Sequence, residues 1–173
     1  ETTFENSTIK QLNLDTVSDL EGKISFLKTV PYISTWCISG DVPVEVLEDN
    51  VYIEKLYLNS GSIDDYAFAG CLQLSEVYYT KVSYAIRVGN GAFSGCSNLT
   101  IFTIDGDQTQ NTFSQFSIES EAFYGCAFEN IYFYQTYFES NSFANNIGLK
   151  EVIFDESTAL DNAYNVFANC TSL

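Results

Sequence analysis

The chain has 173 residues, which is about the length of one domain. Its 23 acidic and 7 basic residues give a formal net charge of −16, and so acidic a surface repels nucleic-acid phosphates and anionic lipid headgroups. Histidine is absent, which excludes Ser-His-Asp and Cys-His catalytic groups and imidazole metal sites. We therefore predict a non-enzymatic globular or repeat protein with no nucleic-acid partner and no membrane insertion.

Residues 1–41 carry a weak form of a repeating pattern that is much clearer further along the chain. The residues that fit it are Asn6, Ile9, Leu12 and Leu14, and then Leu27, Val30 and Tyr32. We interpret this segment as degenerate N-terminal repeats. Cys37, beside Trp36, falls outside the pattern, and we expect it to lie in the core. The alternative is an exposed thiol or an intermolecular bridge.

From residue 42 to residue 173 the chain repeats a motif of the form Ala-Phe-x-Gly-Cys-x-x-Leu. We call the residue at the Phe position the anchor of each repeat. The anchors are Leu47, Phe68, Phe93, Phe123, Phe143 and Phe167, with spacings of 21, 25, 30, 20 and 24 residues. These spacings are close to the period of leucine-rich repeats, and the last repeat stops at Leu173, before its strand.

Each anchor but the last is followed by apolar residues at alternate positions, such as Val77 and Tyr79 or Phe102 and Ile104. Alternation indicates a short strand with every second side chain pointing inward. One repeat is too small to bury its apolar face, so neighbouring repeats must stack. The sequence predicts a leucine-rich-repeat solenoid, a right-handed β-rich superhelix. One face carries a parallel sheet, and short turns or helical turns connect the strands.

The repeated Ala-Phe-x-Gly-Cys-x-x-Leu, followed by Glu-Val or Thr-Ile, resembles the BspA-type (Treponema pallidum-type) leucine-rich repeats. The resemblance covers most of residues 42–173. It implies a secreted or cell-surface protein that binds host or matrix proteins in adhesion. The family has no catalytic motif to transfer, so the resemblance implies no catalytic residues and no cofactor.

Four of the five cysteines share one repeat position, where Asn50 and Asn146 stand in two other repeats. These cysteines are Cys71, Cys96, Cys126 and Cys170. We predict a buried ladder of free thiols that bond to backbone groups of the turns, because a buried free cysteine behaves as a small apolar residue. A metal site or disulfides between stacked repeats is the alternative.

If the alternate apolar residues point inward, the residues between them must form outward columns on the sheet face. We predict a binding face there, because exposed aromatic side chains commonly anchor interfaces. Its residues are Tyr57, Tyr78, Thr103, Tyr132, Tyr134 and Ile153. The alternative is that these tyrosines only satisfy strand propensity and stack across strands.

Three Asn-x-Ser/Thr triplets begin at Asn6, Asn98 and Asn169 and are candidate glycosylation sites. Asn98 fits best because it falls in a turn, whereas Asn6 maps to the ladder position. The Asp105-Gly106-Asp107 stretch resembles part of a calcium loop but lacks the Glu that closes such a loop. We interpret it as a polar insertion and predict no metal site.

Two functions remain open. The first is an extracellular or cell-surface recognition and adhesion module that binds a protein or glycan through the sheet face. The second is a structural subunit that associates with itself end to end through apolar edges formed by Phe167 and Leu173 at one end and Ile9 and Leu12 at the other.

Overall fold

The computed structural model describes residues 10–14, 32–59, 61–79, 86–104, 111–160 and 163–173. They form a parallel β-solenoid of about five turns, and no helix occurs in these ranges. The predicted leucine-rich-repeat solenoid is confirmed. Its strands are β1 (Gln11–Leu14), β2 (Thr35–Ser39), β3 (Lys55–Asn59), β4 (Glu76–Tyr79), β5 (Ile86–Val88), β6 (Ile101–Ile104), β7 (Asn111–Ser114), β8 (Phe116–Ile118), β9 (Asn130–Tyr134), β10 (Tyr137–Phe138) and β11 (Glu151–Phe154).

All strand pairs are parallel and form three sheets. The principal sheet has the order β1-β2-β3-β4-β6, and a second sheet, β7-β9-β11, continues the repeat pattern toward the C-terminus. A third sheet, β5-β8-β10, is built from the residues that precede the anchors. In the principal sheet Leu56 is in register with Val77, and Val77 with Phe102, as the repeat alignment predicts. None of the described residues belongs to a helix long and apolar enough to cross a membrane.

The longest repeat, between Phe93 and Phe123, contains an additional strand. Both β6 and β7 lie within it, and β7 rather than β6 pairs with β9. Phe113 of β7 is fully buried, and its ring stacks on Phe102 with centroids 4.7 Å apart. The strand β7 was not predicted, and the predicted polar insertion at Asp105-Gly106-Asp107 lies outside the described residues.

The turns around the anchors share one backbone geometry. In all six turns the residues two before and two after the anchor have positive φ. These residues are Glu45 and Asp49, Tyr66 and Gly70, Gly91 and Gly95, Glu121 and Gly125, Asn141 and Asn145, and Asn165 and Asn169. The left-handed conformation suits Gly and Asn best, which explains why the motif places them after the anchor.

The core is a column of stacked aromatic rings. The anchor rings of Phe68, Phe93, Phe123 and Phe143 stack in succession with centroids 5.3, 5.2 and 5.0 Å apart. All four side chains are fully buried, and Leu47 continues the column as a buried aliphatic anchor. The inward assignment of the anchors is confirmed, and this continuous column joins the repeats into one hydrophobic core.

The first N-terminal repeat is placed as predicted, because Leu12 and Leu14 of β1 lie in register with Trp36 and Ile38 of β2, whereas the second repeat is placed differently. Tyr32 is exposed and precedes the strand, whereas Trp36 and Ile38 of β2 are the buried pair in register with Leu56 and Leu58. Trp36 and Ile38 alternate as the other inward pairs do, and both side chains are fully buried. Leu27, Val30, Asn6 and Ile9 lie outside the described residues.

Candidate binding surface

The outward column of the principal sheet contains Cys37, Tyr57, Tyr78 and Thr103. Cys37 is in register with Tyr57, Tyr57 with Tyr78, and Tyr78 with Thr103. The predicted register of the column is therefore correct for Tyr57, Tyr78 and Thr103. Cys37 was expected in the core, and that expectation is wrong because Trp36 and Ile38 take the inward positions and leave Cys37 half-buried on the outer side.

Two members of this column are not exposed. Tyr78 is only 8% exposed because its ring stacks on Tyr57 with centroids 5.1 Å apart and planes 19° apart. Thr103 is fully buried, and its short side chain stands beside the much larger ring of Tyr78 on the neighbouring strand. The prediction that both residues are exposed is wrong, and of this column Tyr57 keeps substantial exposure at 37%.

The tyrosine pair, Tyr57 and Tyr78, is tied to an ion pair. The Tyr78 hydroxyl donates to Glu76 Oε2 at 2.8 Å, and Lys55 Nζ lies 2.7 Å from the same oxygen. Burial and this hydrogen bond raise the pKa of Tyr78 to about 12. Burial raises the pKa of Glu76, but the bonds from Lys55 and Tyr78 outweigh it and lower the pKa below its ordinary value. Glu76 is thus held as a carboxylate beside a neutral tyrosine.

The second part of the predicted face lies on β9 and β11. Tyr134 is 47% exposed, Ile153 is 41% exposed, and Tyr132 is half-buried in register with Ile153. We call these three residues the β9–β11 face. The predicted column is not continuous between Thr103 and Tyr132, because the additional strand β7 places Thr112 next to Tyr132.

The cysteine ladder has the predicted geometry. Cys71, Cys96, Cys126 and Cys170 are free and buried. The thiol of Cys71 donates to the carbonyl of Leu47 at 3.1 Å, and that of Cys96 donates to the carbonyl of Phe68 at 3.1 Å. Cys126 and Cys170 likewise donate to the anchor carbonyls of Phe93 and Phe143.

Each of these four thiols thus bonds to the anchor backbone of the repeat before it, and Asn146 does the same through its amide. Asn50 differs, because its Oδ1 accepts hydrogen bonds from the backbone amides of Tyr52 and Ile53 in its own turn. Burial raises the pKa of every ladder thiol, that of Cys71 to about 12. The thiols are therefore structural and unreactive near neutral pH.

A charged cluster on the third sheet was not predicted. Arg87 forms salt bridges with Asp64 at 2.8 Å, with Asp65 at 2.6 Å and with Glu119. The Asn90 amide also donates to Glu119. These groups come from three successive repeats, so the cluster ties them together. Arg87 is the one basic residue between Lys81 and Lys150, which is the signal that sequence reasoning overlooked.

The candidate glycosylation sites and assembly edges remain predictions. Asn98 and Asn169 both lie exposed in turns, and the Asn98 amide nitrogen donates to the carbonyl of Leu72 at 2.8 Å. At the C-terminal end Leu173 is exposed and Phe167 is half-buried, and at the N-terminal end Leu12 is half-buried. Asn6 and Ile9 lie outside the described residues.

Comparison with known proteins decides the family. The family model described as the BspA type leucine rich repeat region matches residues 45–173 of the sequence in six copies. The chain belongs to the BspA-type leucine-rich repeat family. BspA-type repeats are typically modules for protein interaction and adhesion, found in surface or secreted proteins and generally without enzymatic activity. Searches of curated proteins and of solved structures found no match to this chain.

Proposed function

We propose that this BspA-type chain is a non-enzymatic recognition and adhesion module that works outside the cell or at its surface. It binds a protein or glycan partner through the outer face of its sheets. The observation that carries this proposal is the exposure of Tyr57 on the principal sheet and of Tyr134 and Ile153 on the second sheet. Tyrosine gives a large contact area at a low cost in side-chain entropy.

The outer face is also suited to binding because of its rigidity. The side chains stand on parallel strands whose inner faces pack on the aromatic column, so they are held in place before a partner arrives. Preorganisation of this kind lowers the entropic cost of association. Asn98 and Asn169, the asparagines of two Asn-x-Ser/Thr triplets, lie exposed in turns, and this placement supports glycosylation in an extracellular setting.

The test measures binding of the chain to a panel of purified extracellular matrix proteins and to a glycan array. The face variant combines Tyr57→Ala, Tyr134→Ala and Ile153→Ser. The matched control combines Tyr124→Ala, Tyr164→Ala and Leu160→Ser, which remove similar exposed side chains outside the face. We expect a partner in the panel whose affinity drops at least tenfold for the face variant and stays within about twofold for the control. No binding partner, or equal loss in both variants, would contradict the proposal.

The second candidate is a structural subunit that assembles head to tail. The observation that favours it is apolar exposure in the C-terminal repeat, where Phe154 is 39% exposed and Leu173 is 56% exposed. A heterologous contact that does not close into a ring generates a filament. Sedimentation over a wide concentration range separates the two functions, because a filament subunit polymerises as its concentration rises and a recognition module stays monomeric.

A further inference from the structure

The β9–β11 face lies in the part of the chain that is poorest in basic residues. After Arg87 the sequence contains ten acidic residues and a single basic one, Lys150. The ammonium group of Lys150 lies 2.9 Å from Glu129 Oε2, so its charge is already compensated. The other salt bridges of the described residues engage Lys55 and Arg87 in the same way. Residues 88–173 therefore contain no further basic residue that could neutralise the acids of this half.

Acidic groups flank the β9–β11 face along the strand direction. Glu151 lies exposed on the same side of β11 as Ile153, two residues before it. Asp155 follows β11, and its Oδ1 accepts hydrogen bonds from the Thr158 hydroxyl at 2.6 Å and from the backbone amide of Gln135 at 3.1 Å. The hydrogen bond from Thr158 is the main reason that the pKa of Asp155 lies below its ordinary value. A carboxylate thus stands at each end of an aromatic and aliphatic surface.

We infer that the β9–β11 face docks a cationic polypeptide segment whose arginine side chains lie against Tyr132 and Tyr134 and pair with Glu151. This inference rests on the proposed function and names the partner class for that face. Charge complementarity selects the occupant, because a face flanked by uncompensated carboxylates attracts cationic groups and repels anionic ones. A second copy of this chain would bring acid against acid, since each carries a net charge of −16.

Arginine fits this face better than lysine for two physical reasons. Its planar guanidinium stacks on the face of an aromatic ring, and it forms bidentate hydrogen bonds with a carboxylate. The compact ammonium of lysine is more strongly hydrated and forms neither contact as well. Exposed Tyr134 on β9 provides the aromatic ring for stacking, and exposed Glu151 on the neighbouring strand β11 provides the carboxylate.

The test uses a short synthetic peptide of alternating arginine and serine as the probe. Peptides of alternating lysine and serine and of glutamate and serine serve as matched controls. Affinities are measured by calorimetry near physiological ionic strength, about 0.15 M salt, where weak long-range attraction is screened. The face variant is Tyr134→Ala with Glu151→Gln. The control variant is Tyr124→Ala with Glu121→Gln, which removes the same side-chain types from the exposed turn that contains Phe123.

We expect the arginine peptide to bind, the lysine peptide to bind several-fold more weakly, and the glutamate peptide not to bind. The face variant should raise the Kd of the arginine peptide at least about tenfold, and the control variant less than about twofold. Equal weakening by both variants would show only general attraction to an acidic chain and would overturn the inference. Equal affinity for arginine and lysine peptides would do the same.

The panel described under the proposed function separates failure of this inference from failure of the function. If a panel protein or a glycan loses affinity with Tyr134→Ala but the arginine peptide neither binds nor competes with it, the cationic partner is wrong and the recognition function stands. If the face variant affects no partner of any kind, both are wrong.

Discussion

Replacing Phe93 with alanine probes the aromatic column at its centre. The Phe93 ring is fully buried between the rings of Phe68 and Phe123, with centroids 5.3 and 5.2 Å away. The edge of Phe102 closes a third side with centroids 5.9 Å apart. Truncation therefore removes contacts in two neighbouring repeats and leaves a cavity that rigid strands cannot close. We expect a loss of about 3–5 kcal/mol in the free energy of unfolding.

A loss of this size is a large part of the total stability of an ordinary domain, about 5–15 kcal/mol. Phe154→Ala is the matched control, because the ring of Phe154 also stacks on an aromatic ring, that of Phe133, with centroids 5.5 Å apart, but is 39% exposed. Its removal should cost about 1–2 kcal/mol, since only part of the side chain is withdrawn from water. If Phe93→Ala does not fold, Phe93→Leu should show a smaller loss in the same direction.

The assay is equilibrium urea unfolding followed by two signals at once. Trp36 is the single tryptophan and lies fully buried in β2, several repeats from Phe93, so its fluorescence reports the N-terminal part of the stack. Far-UV circular dichroism reports all the strands. If the column couples the repeats, both signals shift to lower urea together. A loss below about 1 kcal/mol would refute the inward assignment of the anchors.

Three further predictions follow from the ladder, the tyrosine pair and one buried hydroxyl. Between pH 9 and 12 stability should fall, because the folded pKa of Cys71 is raised from 9.0 to about 12 and only the unfolded thiol ionises there. Cys71→Ala should reduce the slope of a pH series of urea titrations by up to about 1.4 kcal/mol per pH unit, and an unchanged slope would contradict the ladder. Tyr78→Ala should lower the free energy of unfolding in urea by about 1–2 kcal/mol, because its buried ring and its hydrogen bond to Glu76 are lost. Tyr134→Ala should change it by no more than about 0.5 kcal/mol, and the reverse order of the two effects would show that the two exposures are misassigned. Ser142→Ala should stabilise the chain by about 1 kcal/mol in thermal unfolding, because the Ser142 hydroxyl is buried without a hydrogen-bond partner among the described residues, and a loss of stability would show that the hydroxyl is satisfied.

The parts of the fold that were predictable from the sequence are those that every repeat builds in the same way. The anchors Phe68 and Phe93 and the thiols of the ladder recur at fixed offsets, so one inference about orientation applied to all copies. Burial then follows from stacking, because a residue repeated at one position meets its own counterpart in the next repeat.

The features that were missed are those that occur once. The additional strand β7 interrupts the outward column, and its sequence, Asn111–Ser114, contains one inward Phe113 but no anchor motif to identify it. Exposure within the column also depended on neighbours, since Tyr78 is covered by its own stacking on Tyr57. Alternation fixes the side of the sheet to which a residue points, and the size of adjacent side chains fixes how much water reaches it.

The site of the Arg87 cluster shows the same limit. Arg87 forms salt bridges with Asp64, Asp65 and Glu119 because the repeats on either side of it carry carboxylates at or next to the corresponding repeat position. Alignment of the repeats places these residues in adjacent turns, but the direction of a long flexible side chain depends on the three-dimensional spacing of the strands.

The claim that the outer sheet face is the binding surface is tested most directly by site-specific photo-crosslinking. A benzophenone amino acid is placed at position 134 on the face or, as a control, at position 124 in the turn after Phe123, where Tyr124 is exposed to a similar degree. Each chain is irradiated with a partner from the extracellular panel. The account predicts a crosslinked product from position 134 and none from position 124. A product from position 124 alone, or equal products from both positions, would contradict it.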